Sequence, residues 1–400
     1  MSKEKLNNNI RWMKINGIPI IGNTSTSSII GLNKNGYDLI KNIEEDGCDI
    51  EKIKFENPEL TAALIEGGYF SDLENGIESA YLHVTHRCNL HCVGCYSFED
   101  MRNSLLDLDT ESMKHILDEL KSVGVNNLVI SGGEPFLRQD ILDIMKYAKE
   151  DLSISNINLI TNGTINNIDW KKLSSYIDFI SFSLDSYKED LCFIRDEGIF
   201  NKTMDNIKEA QKYLPTNIIV TIHKKNIDYL DEYKKIVDNL NVSMNISLFV
   251  SKDDEMFSDF ILEKSDYEKL SRITQESNFR VLDSSIEGQL GCRESCGAGK
   301  SIISIDADGN VTPCHMFLEK DFILGNVQEN RLKDILDQSK LNPVVEFTVD
   351  DIDSCQECQY NYLCGAGCRY RAYCTDGNIT SVDPLCGTYK AYFSSFFNSL

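Results

Sequence analysis

Six short apolar runs, each but the last followed by a stretch with helical spacing, occupy the middle of this 400-residue chain and restrict its fold more than any other feature. They are Tyr81–Thr85, Asn127–Ser131, Ile157–Thr161, Phe179–Leu184, Ile218–Ile222 and Ile246–Val250. Between them the apolar residues recur at helical intervals, for example over Glu111–Val123, Asp140–Glu150, Met204–Tyr213 and Tyr229–Leu240. A strand that is repeatedly followed by a helix predicts an α/β fold with a parallel sheet and right-handed crossovers. Six units predict a partial barrel rather than a closed eight-fold one, and ligands of such sheets gather beyond the C-terminal strand ends.

The flanking segments differ. Residues 10 to about 70 read as a few strands (Ile18–Ile21, Ile29–Leu32) followed by helices around Tyr37–Ile43 and Leu60–Leu64, and Ser71–Ala80 reads as a polar linker. After Val250 the periodicity fades; from Gly291 onward Cys, Gly and turn residues dominate, with one hairpin expected over Ser301–Cys314. The resulting expectation is three parts: 1–75, 76–255 and 256–400.

Composition excludes several roles. No stretch reaches the roughly 18 to 20 apolar residues of a membrane span, and the charged, Asn-rich start has no apolar signal core. The expected location is therefore the cytoplasm. A formal net charge of −23 opposes binding to a phosphate backbone, so neither nucleic acid nor membrane is an expected partner. Fourteen cysteines in such a chain, gathered in tight groups, point to metal rather than to disulfides.

The first group, Cys88-x3-Cys92-x2-Cys95, directly follows the first strand of the repeat. Three thiolates at this spacing wrap one face of a cubane iron–sulfur cluster and leave the fourth iron without a protein ligand. At the chain's cysteine frequency, such a triplet is expected by chance about 0.02 times. Structural zinc is the alternative, but it requires a fourth ligand and commonly uses paired CxxC spacing.

The triplet resembles the signature of radical SAM enzymes, and the β/α repeat is similar to that family's partial barrel. The resemblance implies that S-adenosylmethionine chelates the open iron and that one electron from the cluster cleaves it, yielding a 5′-deoxyadenosyl radical that abstracts hydrogen. One departure is Gly94, where the family commonly has an aromatic; Tyr96 follows instead. Gly132-Gly133-Glu134-Pro135, after the second strand, resembles the segment that holds the methionine amino group, with Glu134 as acceptor. Asn162, after the third strand, is a further cofactor contact by position. The resemblance also brings Ser183 and Asp185 near the ribose or methionine and Arg195 near the carboxylate; for Ser, Asn and Asp at strand ends, plain capping is the competing reading.

The second group runs Cys292, Cys296, Cys314, Cys355-x2-Cys358-x5-Cys364-x3-Cys368 and Cys386, with Gly309 between Cys296 and Cys314. It resembles the SPASM domain of peptide- and protein-maturing enzymes. The family pattern implies a nearer auxiliary cluster on Cys292, Cys296, Cys314 and Cys368 and a distal one on Cys355, Cys358, Cys364 and Cys386. Three [4Fe-4S] clusters follow in total, with zinc again the alternative. Of the remaining cysteines, Cys48 and Cys192 read as small buried hydrophobes and Cys374 as a substitute ligand. The six histidines show no metal spacing.

SPASM enzymes resembling this chain mostly act on peptides. Gly22-Asn23, Ser27–Asn33, Gly36–Ile40 and Leu64–Phe70 are similar to the winged-helix module that recognises precursor-peptide leaders, a structural cap on the barrel being the other reading. The expected activity is thus a peptide maturase that forms a thioether or carbon–carbon cross-link in a ribosomally made peptide, served by a reduced flavodoxin- or ferredoxin-type donor. An anaerobic sulfatase maturase is the alternative, although His315 stands where those enzymes commonly have Asp. A zinc- or cluster-bearing binding module without enzymatic activity is the third reading.

Overall fold

A computed structural model describes residues 3–71, 76–97, 101–252, 254–276, 280–281 and 290–398. Part of the expected linker, 72–75, and part of the stretch after Val250 lie outside the described residues. The chain forms two compact units that are not contiguous in sequence: 1–75 with 284–296 and 347–400, and 76–283 with 297–346.

The first unit begins with an antiparallel sheet of β1 (Ile10–Ile15), β2 (Ile18–Asn23) and β3 (Ile29–Gly31), followed by α1 (Lys34–Asp46), α2 (Ile50–Glu56) and α3 (Pro58–Glu66). Helix α1 starts where Asn33 Oδ1 accepts the Gly36 amide at 2.8 Å, and α3 starts on Pro58, whose missing N–H costs nothing in a first turn. Ile21, Leu32, Ile40, Ile43, Ile53, Leu64 and Tyr69 close its core. The same unit contains the C-terminal cysteine segment, built from short helical pieces and the longer helix Cys386–Asn398.

In the second unit the six expected strands all form, as β4 (Ser79–His83), β5 (Asn127–Ser131), β6 (Asn156–Thr161), β7 (Phe179–Ser183), β8 (Thr216–Ile222) and β9 (Ser243–Leu248). Helices α4 (Thr110–Ser122), α5 (Ile141–Lys146), α6 (Trp170–Leu173), α7 (Phe200–Ala210) and α8 (Leu230–Leu240) fill the five intervals. All six strands are parallel, and their register aligns Leu82, Ile130, Leu159 and Ile180 in one apolar row. These side chains are fully buried.

The sheet is longer than the repeat. Strand β10 (Arg280–Val281) joins β9, and β11 (Ile302–Ile305) lies parallel to β4, carrying β12 (Asn310–Thr312) and β13 (Gly325–Asn326) antiparallel beyond it. The hairpin expected over 301–314 is thus β11–β12, docked on the sheet's first strand. A helix over Lys264–Glu276 lies where the periodicity fades. Cys192, expected to be buried, is exposed in the loop after β7, where its small side chain meets no core; Cys48 and Cys374 are buried. Among the described residues no helix is long and apolar enough to cross a membrane.

Candidate active site

The loops after β4 to β9 enclose a cavity of about 200 Å³ at the C-terminal ends of the strands. Cys88, Cys92 and Cys95 line it together, on the loop that leaves β4. That loop is pinned from several directions. The Cys88 amide donates to Asn103 Oδ1 at 3.0 Å, the Val93 amide to the Ile194 carbonyl at 2.7 Å, and the His91 amide to Asp196 at 3.0 Å. Arg87 pairs with Asp107, which also accepts from Thr85 Oγ1 at 2.5 Å.

The two glycines after β5 are required by contact. Gly133 N donates to the Thr85 carbonyl at 2.7 Å and Glu134 N to that of Arg87 at 2.8 Å, so the turn lies flat on the cysteine loop. A Cβ at Gly133 would overlap the Arg87 carbonyl, and Gly132 has φ +137°.

Nitrogen donors surround the sulfurs. Asn162 Nδ2 lies 3.9 Å from Cys88 Sγ, Arg195 Nη1 3.8 Å from Cys92 Sγ and Arg102 Nη1 4.0 Å from Cys95 Sγ. Burial pushes the Cys92 thiol up to about 11, although Arg195 pulls the other way, and burial likewise raises Cys88. The neighbouring sulfurs act in the same upward direction, Cys95 on Cys88 and both Cys95 and Cys88 on Cys92. Three converging thiols ringed by two guanidinium groups and an amide suit a soft, anionic iron–sulfur group, whose binding must displace those protons.

Of the expected cofactor contacts, Gly132, Gly133, Asn162, Ser183 and Arg195 line the cavity, whereas Glu134, Pro135 and Asp185 sit behind it. Glu134 is fully buried, and its carboxylate accepts from Thr161 Oγ1 at 2.9 and 3.0 Å, Asn162 N at 2.8 Å and Phe136 N at 3.1 Å. Burial pushes its pKa up to about 6 against those donors. Its oxygens are thereby tied to the third strand end, beside Asn162. Asp185 similarly takes Arg195 Nε on one oxygen and the Thr221 amide on the other at 2.6 Å. Its place beneath Arg195 orients that guanidinium.

Several cavity residues carried no motif: Tyr81, Tyr96, Arg102, Thr221, Ser247, Phe249, His315 and Met316. Most sit in or just after a strand, a place the periodicity marks without naming a role. Phe249 accounts for the departure at Gly94. Gly94 has φ +64°, and a Cβ built there would overlap the Phe249 ring. The aromatic that position 94 lacks is supplied from the end of β9. His315 stacks on Tyr81 with ring centroids 4.0 Å apart.

Among the C-terminal cysteines, Cys355, Cys358, Cys364 and Cys386 line one small cavity with Tyr360, Tyr389 and Phe393. Four sulfurs are the number that a fully ligated cubane takes. Cys296 is exposed and Cys314 half-buried, whereas Cys292 is buried with its sulfur against Met13 and the place where Gly22 lacks a side chain. Burial pushes the Cys292 thiol up to about 12, with Arg11 opposing.

Compared with known proteins, residues 82–237 match the family model of the radical SAM superfamily and residues 296–359 that of the SPASM iron–sulfur cluster-binding domain. The chain is 25% identical over 326 residues to the mycofactocin maturase MftC of Mycolicibacterium smegmatis, covering 76% of this chain and 81% of that one. It is 24% identical over 357 residues to a cysteine-type anaerobic sulfatase-maturating enzyme of Clostridium novyi, covering 79% and 94%. The crystal structure of Streptococcus suis SuiB bound to its precursor peptide SuiA superposes with a TM-score of 0.61 at 17% identity, covering 95% and 98%.

Proposed function

Because the chain is a radical SAM enzyme with a SPASM iron–sulfur domain, we propose that it matures a ribosomally made peptide by installing a thioether or carbon–carbon cross-link. Iron–sulfur clusters and S-adenosylmethionine are its cofactors, and when bound they supply one-electron cleavage, the source of a hydrogen-abstracting radical.

In this reading Cys88, Cys92 and Cys95 hold the first cluster. Gly132, Gly133, Asn162, Ser183 and Arg195 contact S-adenosylmethionine, with Arg195 facing its carboxylate. Glu134 and Pro135 shape the turn, and Asp185 keeps Arg195 aimed. Arg102 and Arg195 offset the negative charge gathered on the sulfurs. The walls formed by Ile160, Ile219, Leu248 and Phe249 exclude water from the reacting groups. Two auxiliary clusters complete the set, a distal one on Cys355, Cys358, Cys364 and Cys386 and a nearer one for which the family pattern supplies Cys292, Cys296, Cys314 and Cys368.

The observation that carries the proposal is the cavity itself. Three sulfurs occupy one side of it, and Tyr81, Tyr96, His315 and Met316 also line it, which leaves a mixed aromatic and polar wall for a peptide side chain. Relatives at about a quarter identity include a mycofactocin maturase and a PqqA peptide cyclase, and the fold extends to SuiB, crystallised with its precursor peptide SuiA. Residues 1–75 would bind the leader, with the outer edge of β3 available to an extended strand. A reduced flavodoxin- or ferredoxin-type protein would deliver the electron. The sulfatase-maturase reading has support of its own in the Clostridium novyi relative; His315 in place of the expected Asp favours the first.

The test is anaerobic reconstitution followed by reaction with the peptide encoded beside the gene. The expected result is about twelve irons per chain, 5′-deoxyadenosine in step with turnover, and a peptide lighter by two hydrogens per cross-link. Stoichiometric zinc with little iron would overturn the enzyme assignment, and an aldehyde formed on a sulfatase peptide would overturn the choice of reaction.

A further inference from the structure

Between the cysteines expected to hold the nearer and the distal auxiliary clusters lies a buried polar knot that neither motif contains. Asp383 and Arg371 are each about 1% exposed and form a two-pronged ion pair, with Nε on Oδ1 and Nη2 on Oδ2, both at 2.7 Å. Arg371 Nη2 also donates to the Tyr389 hydroxyl at 2.9 Å. Burial works against the Arg371 charge, but Asp383 outweighs it and raises its pKa further. A planar, bidentate pair of this kind fixes both partners in direction as well as distance.

The same aspartate reaches two cysteines. Its Oδ2 accepts the Cys368 amide at 2.6 Å, its Oδ1 the Leu385 amide at 2.9 Å, and its backbone carbonyl the Cys386 amide at 2.9 Å. Cys368 is the N-cap of the helix Arg369–Asp376, its sulfur 3.5 Å from the Arg371 amide, and Cys386 opens the helix Cys386–Asn398. Gly367 leaves room for this arrangement: with φ +71°, a Cβ there would overlap Asp383 Oδ2 and crowd the Tyr389 ring.

We infer that Asp383 is a positioning residue for the auxiliary clusters, fixing the Cys368 and Cys386 thiols through their backbones and linking the two sites. This rests on the reading of Cys368 and Cys386 as ligands of different clusters. Groups that hold ligands in place are about as consequential for metal affinity as the ligands themselves. The Arg371 charge serves to lock the carboxylate, and the Tyr389 hydroxyl to lock the guanidinium.

The experiment compares wild type, D383N, D383E and Y389F after anaerobic reconstitution, by iron content and low-temperature electron paramagnetic resonance. In D383N the expected loss is about two thirds of the iron, with the auxiliary signals gone, the signal of the Cys88–Cys92–Cys95 cluster retained, and partial recovery in D383E. Full iron in D383N would overturn the inference, as would loss of all signals together, which marks general unfolding. Should D383N fail to fold, Y389F decides. It removes one hydroxyl, and auxiliary iron is then expected to pass to a chelator severalfold faster than in wild type; an unchanged rate would overturn the inference. Wild type binding only about four irons would instead remove the three-cluster reading on which the inference rests.

Discussion

Two sets of cysteines in this chain are held by different physics. Cys88, Cys92 and Cys95 sit on one loop at the end of a strand, and that loop is anchored to a sheet whose row Leu82–Ile130–Leu159–Ile180 is fully buried. Of the C-terminal set, Cys355, Cys364 and Cys386 sit on helices of four to thirteen residues, Cys368 caps another, and the rest lie in loops. Its own apolar cluster is small: Phe347, Val349, Ile352 and Ala366, with Cys355 and Tyr362 against it. The first scaffold stands on hydrophobic burial. The second is tied together by the buried Asp383–Arg371 ion pair, and small cores of this kind commonly depend on a bound metal.

The comparison can be broken in order of expected effect. Replacing Cys88, Cys92 and Cys95 together by Ala should reduce 5′-deoxyadenosine formation to background while lowering the stability of the metal-free chain by no more than about 1 kcal/mol, because of the three only Cys88 is buried; a larger loss of stability would show that this loop is not preformed. Removing iron should raise amide exchange in residues 347–398 by at least about tenfold and leave β4–β9 nearly unchanged. Equal loosening of both regions, read by mass spectrometry, would erase the distinction.

Phe249→Ala should weaken S-adenosylmethionine binding about tenfold by calorimetry, on the scale of one base–aromatic stack, since its ring fills the space above Gly94. Unchanged affinity would leave the cavity wall without an aromatic role. A further test concerns pH. Burial lowers the His223 pKa to about 4, with Asp185 opposing and Lys225 assisting, and Phe193, Phe249 and Phe260 surround its ring. Because the unfolded state takes up this proton first, stability should fall as pH drops from about 6.5 to about 4, by about 3 kcal/mol from this group. In His223→Phe the drop between those pH values should shrink by that amount in urea titrations; an identical drop would mean that the ring is protonated without penalty.

The six strands, their parallel order and the gathering of the first three cysteines were legible because each depends on neighbours in sequence. Continuous apolar runs mark buried strands, and three thiols within eight residues meet whatever the rest of the chain does. The double glycine after β5 was legible for the same reason, although its use, a flat contact on residues 85–87, was not. Roles that depend on distant partners were invisible. That the Glu134 carboxylate is tied to the third strand end does not show in its motif. Gly94 reads as a lost aromatic until Phe249 arrives from 155 positions away. Asp383 and Arg371 carry no motif, because an ion pair is defined by where a helix and the loop beyond it bring its ends. By itself, then, the sequence determined the class of fold and the initiating chemistry, which rest on local pattern and spacing. Only the tertiary structure decided which side chains face the cavity and which work from behind it, since burial and partnership are set by segments that meet in space.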